Sequence, residues 1–226
     1  MLQAKSAIRA GYFDSRDLPD PQLMYVGWFD IMGTQSIMRI SQKKMANFIF
    51  KMYSFTNHIN GYGIHIYPLM DGFFAVHNNR TEFLSFVSRF FISVYNSFKA
   101  ESRNEHRFMI RGGIAYGPIV IGKDIVQQYS FKDDIIVGSP VIQAYRGESL
   151  APPFGIYVDE SARSLPPGED AIPSVYFNWC KKDRAIRTKL EEYLNWCLLN
   201  STCLQYPEDS IKRHILLAKQ YFNKEK

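Results

Sequence analysis

The sequence predicts an α+β domain of the ferredoxin-like kind: a mixed sheet laid out βαββαβ, helices packed on one face, and further helices appended at the C-terminus. Three observations predict it. Short runs rich in β-branched and aromatic residues alternate with stretches of helical period, in the order strand, helix, strand, strand, helix, strand, helix, strand. An Asp-Gly step joins two of the strand runs as a hairpin. A length of 226 residues with ordinary apolar and charged content suits one well-packed domain with appendages.

Residues 1–22 are polar and broken by Pro19 and Pro21, which reads as an arm. The run 23–29 is the first strand and ends at Asp30-Ile31-Met32-Gly33-Thr34. Over 36–55, Ile37, Ile40, Met45, Phe48, Ile49 and Met52 recur at spacings of three and four, predicting one helix. Runs 62–67 and 73–77 flank Met70-Asp71-Gly72, which suits a type I′ turn with a carboxylate at its tip. A second amphipathic helix over 81–99 carries Phe83, Phe86, Phe90, Phe91 and Phe98 on its buried side. Further strands are predicted at 108–116 (continuing apolar through 118–122), 155–158 and 174–179, with a short helix at 138–145. Residues 183–222 read as two helices parted near Tyr206-Pro207. The organisation is thus an arm at 1–22, a domain at 23–182 and a helical extension at 183–226.

No apolar run is long enough to cross a bilayer, and the N-terminal residues lack the apolar core of a secretion signal, so no membrane association is expected. Cys180, Cys197 and Cys203 form no C-x-x-C pair and read as reduced thiols, which places the chain in the cytoplasm. The net charge of +5 is modest, and the basic C-terminal cluster has no interleaved aromatics, so no nucleic-acid partner is expected. His58, His65, His77 and His106 lack metal-ligand spacing, and Asp133-Asp134 suits a solvated loop.

The chemistry concentrates at two acids. Asp30 ends an apolar strand beside a turn whose free amides, at Met32, Gly33 and Thr34, suit phosphate oxygens. Asp71 sits at a hairpin tip that a βαββαβ sheet packs beside the first strand. Two converging acids repel unless cations neutralise them, so the pair suits a site for two divalent ions.

At this point the residues carry a resemblance. Phe29-Asp30-Ile31-Met32-Gly33-Thr34 resembles the F-D-I-x-G-F/S/T element of class III adenylyl and guanylyl cyclases, and the segment from Leu69 to Val76 resembles their second metal-aspartate hairpin. Ile110-Arg111-Gly112-Gly113-Ile114-Ala115-Tyr116-Gly117-Pro118-Ile119-Val120 is similar to their R-x-G-I-x-x-G-x-V strand. Gly138-Ser139-Pro140-Val141-Ile142-Gln143-Ala144-Tyr145-Arg146 is similar to their G-x-x-V-N-x-A-x-R helix. The resemblance covers roughly residues 23–180. It implies a class III cyclase catalytic domain with two Mg²⁺ or Mn²⁺ ions held by Asp30, Asp71 and the backbone carbonyl of Ile31. It also implies a transition-state arginine at Arg146, a phosphate-binding lysine at Lys181, and a homodimer whose active sites are shared between subunits.

The departures from that pattern concern the base. Purine cyclases keep a Lys or Glu where this chain has Tyr67, commonly an Asp where it has Ile135, and a ribose-orienting Asn where it has Ile142. In this the chain resembles the Pycsar anti-phage cyclases, which make cyclic UMP or cyclic CMP and face the smaller base with a tyrosine and an arginine; Tyr67 and Arg111 are the matching residues. The implied substrate is UTP ahead of CTP, and the implied effector is reached through the cyclic nucleotide. A purine cyclase with an unusual pocket and a silent nucleotide-sensing domain of the same fold remain the alternatives.

Overall fold

The computed structural model describes residues 18–57, 59, 63–124, 132–180 and 185–222. Most of the N-terminal arm, Tyr62, His58 and Lys181 lie outside the described residues. Strand β1 (Gln22–Ile31) runs through the middle of a six-stranded sheet, antiparallel to β3 (Gly72–His77) on one side and to β4 (Ile110–Ile121) on the other. β2 (His65–Leu69) pairs antiparallel with β3. The far edge of β4 takes β6 (Ile156–Val158) in parallel near its start and β5 (Ile136–Val137) antiparallel near its end. From Leu23 to Phe29 β1 is apolar without alternation, because both of its faces are covered from Met24 onward.

The helix expected over 36–55 is two helices, α1 (Thr34–Ile40) and α2 (Gln42–Asn57). Ser41 breaks the run: its backbone is extended, and its hydroxyl accepts from the amide of Lys44 at 3.2 Å, capping α2. Helix α3 (Arg80–Ala100) starts where Asn79 accepts from the amide of Glu82 at 3.0 Å. Its phenylalanines pack on Tyr25, Phe29, Ile31 and Phe73, the residues of β1 and β3 that point to that side.

The expectation that the helices share one face does not hold. Met24, Val26, Trp28, Tyr67 and Phe74 form a second core on the opposite side, and α4 (Ser139–Glu148) covers it with Ala144 and Val141. The cause is Gly113. A side chain there would crowd the Ala144 carbonyl and come within 2.7 Å of the Glu148 amide nitrogen, so its absence lets α4 lie directly on β4.

The strand expected at 174–179 reduces to one bridge, Tyr157 with Tyr176, flanked by the bonds Val158 N to Val175 O (2.8 Å) and Phe177 N to Ile156 O (3.0 Å). The ladder stops because the Tyr221 hydroxyl takes the Phe177 carbonyl and the Trp179 indole turns to Phe154 O, at 2.7 Å. Short helix α5 (Glu160–Ser164) follows β6.

Helices α6 (Ala185–Leu199), α7 (Ser201–Leu204) and α8 (Glu208–Phe222) make up the C-terminal extension. They are part of the main core: Ile186, Leu190, Leu194 and Ile211 are buried with the α3 phenylalanines, and the Tyr193 ring meets Phe98 edge-on at 5.1 Å. The Tyr206 hydroxyl, just before α8, is hydrogen-bonded to His214 Nδ1. Burial, with Arg111 and Arg213 nearby, pushes His214 down to about 4.

That depression fixes a pH dependence. In the unfolded chain His214 takes up a proton near 6.5, whereas the folded protein resists it until about 4, so the His214 contribution to stability falls as pH falls through that window. As pH falls across the window, urea unfolding midpoints of the native chain should decline relative to those of His214→Gln. Equal slopes in the two proteins would remove His214 as the titrating group.

Candidate active site

Asp30 occupies the last turn of β1, where its cross-strand partners are Gly72 on β3 and Arg111 on β4. Asp71 lies in the two-residue turn that precedes Gly72, and its carbonyl accepts from the amide of Ile31 at 3.2 Å. The two acids that the sequence singled out therefore sit side by side. The turn is not type I′, which needs positive φ at both central residues: of the two only Met70 has it, at 53°. Beyond Asp30 the chain turns through Gly33, in the left-handed region at φ 76°, into α1, and the buried Thr34 hydroxyl donates to the Ile31 carbonyl at 2.7 Å.

Sequence reasoning missed one residue of this cluster. Glu148, at the end of α4, is buried under the sheet beside Asp30 and forms an ion pair with Arg111. Burial pushes both carboxyl groups, Asp30 and Glu148, upward from the ordinary range; the charge of Glu148 adds to the rise at Asp30 and that of Asp71 to the rise at Glu148, while the Arg111 guanidinium pulls both back in part and the interaction with Asp30 also lowers Glu148. Asp30 Oδ1 is buried with no hydrogen-bond partner. An orphaned acceptor among acids outnumbering their one guanidinium fits a hard cation. Among the described residues no three His, Cys, Asp or Glu side chains form a ready cage, so such a cation would complete its shell with backbone or ligand oxygens.

The remaining sequence candidates lie apart from that cluster. Tyr67 is buried with Trp28 and Phe74, and burial together with Asp124, Asp133 and Asp134 pushes its hydroxyl up to about 12. Ile135, which follows those last two acids, bonds through its carbonyl to the Gly122 amide at 2.8 Å, so both base-side positions belong to the same end of the sheet. Arg111 is held with the acids by its ion pair to Glu148. Arg146 and Ile142 are exposed on α4, and Arg146 has no acidic partner among the described residues.

No protein-family model matches the chain, and no curated protein matches it. Solved structures do. The catalytic core of a rhodopsin-guanylyl cyclase with converted specificity, in complex with ATPαS, superposes with a TM-score of 0.53 at 19% identity, covering 67% of this chain and 84% of that one. The monomeric guanylyl cyclase domain of the RhoGC fusion protein from the aquatic fungus Blastocladiella emersonii, in a double-mutant form, gives 0.51 at 20% identity over 64% and 82%. An adenylate/guanylate cyclase/hydrolase from Silicibacter pomeroyi gives 0.50 at 22% identity over 62% and 77%. The fold is that of class III cyclase catalytic domains.

The acid cluster sets two opposite stability effects. Because the folded protein holds the Asp30 proton more tightly than the unfolded chain does, the Asp30 contribution to stability without divalent ions is full below the ordinary carboxylate range and is lost as pH rises towards about 9. Asp30→Asn should therefore raise the stability of chelator-treated protein at mildly alkaline pH by at least about 1 kcal/mol, one pKa unit of differential ionisation. Arg111→Met, which leaves Glu148 buried without its cation, should cost about 3–5 kcal/mol. Denaturant unfolding measures both, and a destabilised Asp30→Asn protein would contradict the buried-acid account.

Proposed function

We propose that this protein is a nucleotidyl cyclase of the class III type, converting a nucleoside triphosphate, UTP by preference, into its 3′,5′-cyclic monophosphate and pyrophosphate. The observation that carries this is the meeting of Asp30 and Asp71 at the ends of adjacent strands, with a buried Asp30 oxygen left without a partner. In the reaction the ribose 3′-oxygen bonds to the α-phosphorus, the bond to the bridging oxygen of the β-phosphate breaks, and the hydroxyl proton passes to solvent. Two divalent ions, Mg²⁺ or Mn²⁺, would make the 3′-hydroxyl more acidic and neutralise the departing pyrophosphate. No side-chain nucleophile is needed.

The chain's own groups divide the remaining work. Asp30, Asp71 and the Ile31 carbonyl would hold the ions. The backbone amides of Gly33 and Thr34, with Lys181, would hold the phosphates; the Met32 amide, expected to join them, is instead taken by the Met109 carbonyl at 2.9 Å. Arg146, exposed on α4, is free to reach a second copy of the chain and offset charge on its α-phosphate. Exposed Ile142, Tyr145 and Met70 supply apolar surface for that contact, which supports a homodimer with shared sites.

Tyr67 and Ile135 favour a pyrimidine, because a purine edge facing them would lose hydrogen bonds worth roughly 1–3 kcal/mol each. A base-reading role for Arg111 requires its guanidinium to move from Glu148 to the ligand, where its donor-only chemistry suits the two carbonyls of uracil. One observation favours cytosine as the second choice: Asp124, Asp133 and Asp134 surround the approach to Tyr67 and would accept from an amino group. The resemblance extends the proposal to bacterial anti-phage defence, with the cyclic nucleotide carrying the signal from the cytoplasm's triphosphate pool to its effector. No helix among the described residues is long and apolar enough to cross a membrane.

Incubation of the purified protein with equimolar UTP, CTP, ATP and GTP and Mn²⁺, followed by mass identification of products, should yield cyclic UMP with purine products at least tenfold lower. Predominant cyclic AMP or cyclic GMP would refute the pocket argument; no cyclic product with any triphosphate would refute the enzyme.

Asp71→Asn and Arg146→Ala should each be inactive alone. Mixed one to one they should recover roughly a quarter of native activity, because half of the dimers are mixed and each has one intact site. Absence of recovery after demonstrated subunit exchange would rule out sites shared between subunits.

A further inference from the structure

The turn that carries Asp71 is short and held in an unfavourable conformation. Met70 is exposed, and its φ of 53° is one that a residue with a side chain keeps only where its surroundings fix it. Two contacts fix the turn from β1. The Asp71 carbonyl accepts from the Ile31 amide at 3.2 Å, and Gly72 lies so close to β1 that a Cβ there would come within 2.6 Å of Phe29 O and the Trp28 ring. A third contact comes from α2, through Tyr53. We propose that Tyr53 is a positioning residue for Asp71, and that its hydroxyl sets how tightly the chain binds a divalent ion.

The Tyr53 ring is half-buried against the core on the α3 side, where its centroid lies 6.2 Å from that of Phe73. That packing aims the hydroxyl at the end of the hairpin. It donates to the Gly72 carbonyl at 2.6 Å, with the Met70 carbonyl as a longer second acceptor at 3.4 Å. These two carbonyls flank Asp71. With the Ile31 amide on the carbonyl between them, a donor stands at each of three consecutive carbonyls, and none of these bonds uses the Asp71 carboxylate.

The hydroxyl also reaches the other arm of the hairpin. Burial pushes the pKa of the Tyr53 hydroxyl up, a hydrogen bond with the Leu69 backbone draws it back, and the charge of Asp71 raises it again. Leu69 faces Gly72 across the hairpin, so one phenol ties both strands at the point where the turn leaves them. The phenol is within electrostatic range of the Asp71 carboxylate, yet it holds that residue through the backbone.

The consequence concerns the ion. A hard cation between Asp30 and Asp71 needs oxygens from both at about 2.0–2.6 Å, a narrow range. Asp30 is placed by the central strand, which is paired on both sides. Asp71 is placed by the turn alone. Without the hydroxyl, Met70 is released from the left-handed region and Asp71 spreads over several positions, few of which suit the ion. This rests on the reading of Asp30 and Asp71 as the ion-binding pair.

The test compares Tyr53→Phe with Thr56→Val in the full chain. Thr56 is buried and donates its hydroxyl to the Tyr53 carbonyl at 2.7 Å, so its loss removes one hydrogen bond inside α2 and leaves the phenol in place. Each protein is titrated with Mn²⁺ alone, free ion being counted by electron paramagnetic resonance, and urea unfolding of the chelator-treated proteins measures stability. Tyr53→Phe should bind Mn²⁺ roughly five- to tenfold more weakly, the worth of one hydrogen bond, whereas Thr56→Val should lose a similar amount of stability and keep native Mn²⁺ affinity. Turnover measured against Mn²⁺ concentration should shift by the same factor in Tyr53→Phe, with kcat at saturating ion and the nucleotide KM near native. Native Mn²⁺ affinity in Tyr53→Phe, or an equal loss in Thr56→Val, would overturn the proposal. A native chain that binds no Mn²⁺ would sink the ion-binding reading and this inference with it. Tyr53-dependent Mn²⁺ binding in a chain that makes no cyclic nucleotide would refute the proposed reaction and leave the role of Tyr53 standing.

Discussion

Two carboxyl groups buried side by side under one guanidinium are the arrangement around which this fold is organised. Asp30 ends the central strand, Glu148 ends α4, and Arg111 lies between them on β4. They meet only because α4 lies against bare backbone at Gly113. Gly147 faces that same spot from the helix, its missing side chain 3.9 Å from the Gly113 Cα, and the Tyr157 ring closes the contact from β6. A methyl group at either glycine would lift the helix and carry Glu148 off Arg111. The glycines are thus electrostatic residues at one remove: their lack of bulk sets how close a charge can come.

Such a cluster is costly without ligands, and the other side of the sheet supplies the offset. Phe29, Phe73, Phe86 and Phe90 lie directly behind the acids, with ring centroids 5.0 Å apart for Phe73 and Phe90 and 5.9 Å for Phe29 and Phe90. Each aromatic pair adds about 0.5–1.5 kcal/mol beyond burial. A handful of them is comparable with the several kcal/mol that effective desolvation of a buried ion costs. Phe29 and Asp30 are consecutive on β1, so a fully buried aromatic and the strand's one acid face opposite sides from adjacent positions. The rigidity of one core holds the acids of the other in place.

Much of this was legible in the sequence. Helical period located α3, the Asp-Gly step located the hairpin, and sharply bounded apolar runs located β1 and most of β4. Asp30 and Asp71 were legible because acids stand out at the ends of apolar strands. What was hidden depended on contacts between distant residues. Ser41 carries no signal stronger than any serine in a helical stretch, and its capping of α2 overrides the apolar period that runs through it. The position of α4 on the second face turns on Gly113, which in a strand reads equally as a bulge or a weak point. Glu148 was missed because a glutamate near a helix end usually faces solvent. Its spacing held a clue: it lies four residues after Ala144 and next to Gly147, both buried, and therefore on the inner side of α4.

Helix α4 is where the buried cluster and the proposed dimer become one device. Its inner side carries Glu148 to the acids of its own chain, and its outer side carries Ile142 and Arg146 away from them. Six residues separate Ile142 from Glu148, roughly 9 Å along the axis. In a dimer with shared sites, the helix that completes the metal side of one site presents the arginine of the other. A rigid α4 cannot then shift towards one site without moving its group in the second. Any ion that relieves the repulsion between Asp30 and Glu148 in one chain acts on the base of that helix, and through it on the partner's site. Coupling between the two sites would thus pass through one ten-residue helix seated on glycine, with no long path through the sheet needed to carry it.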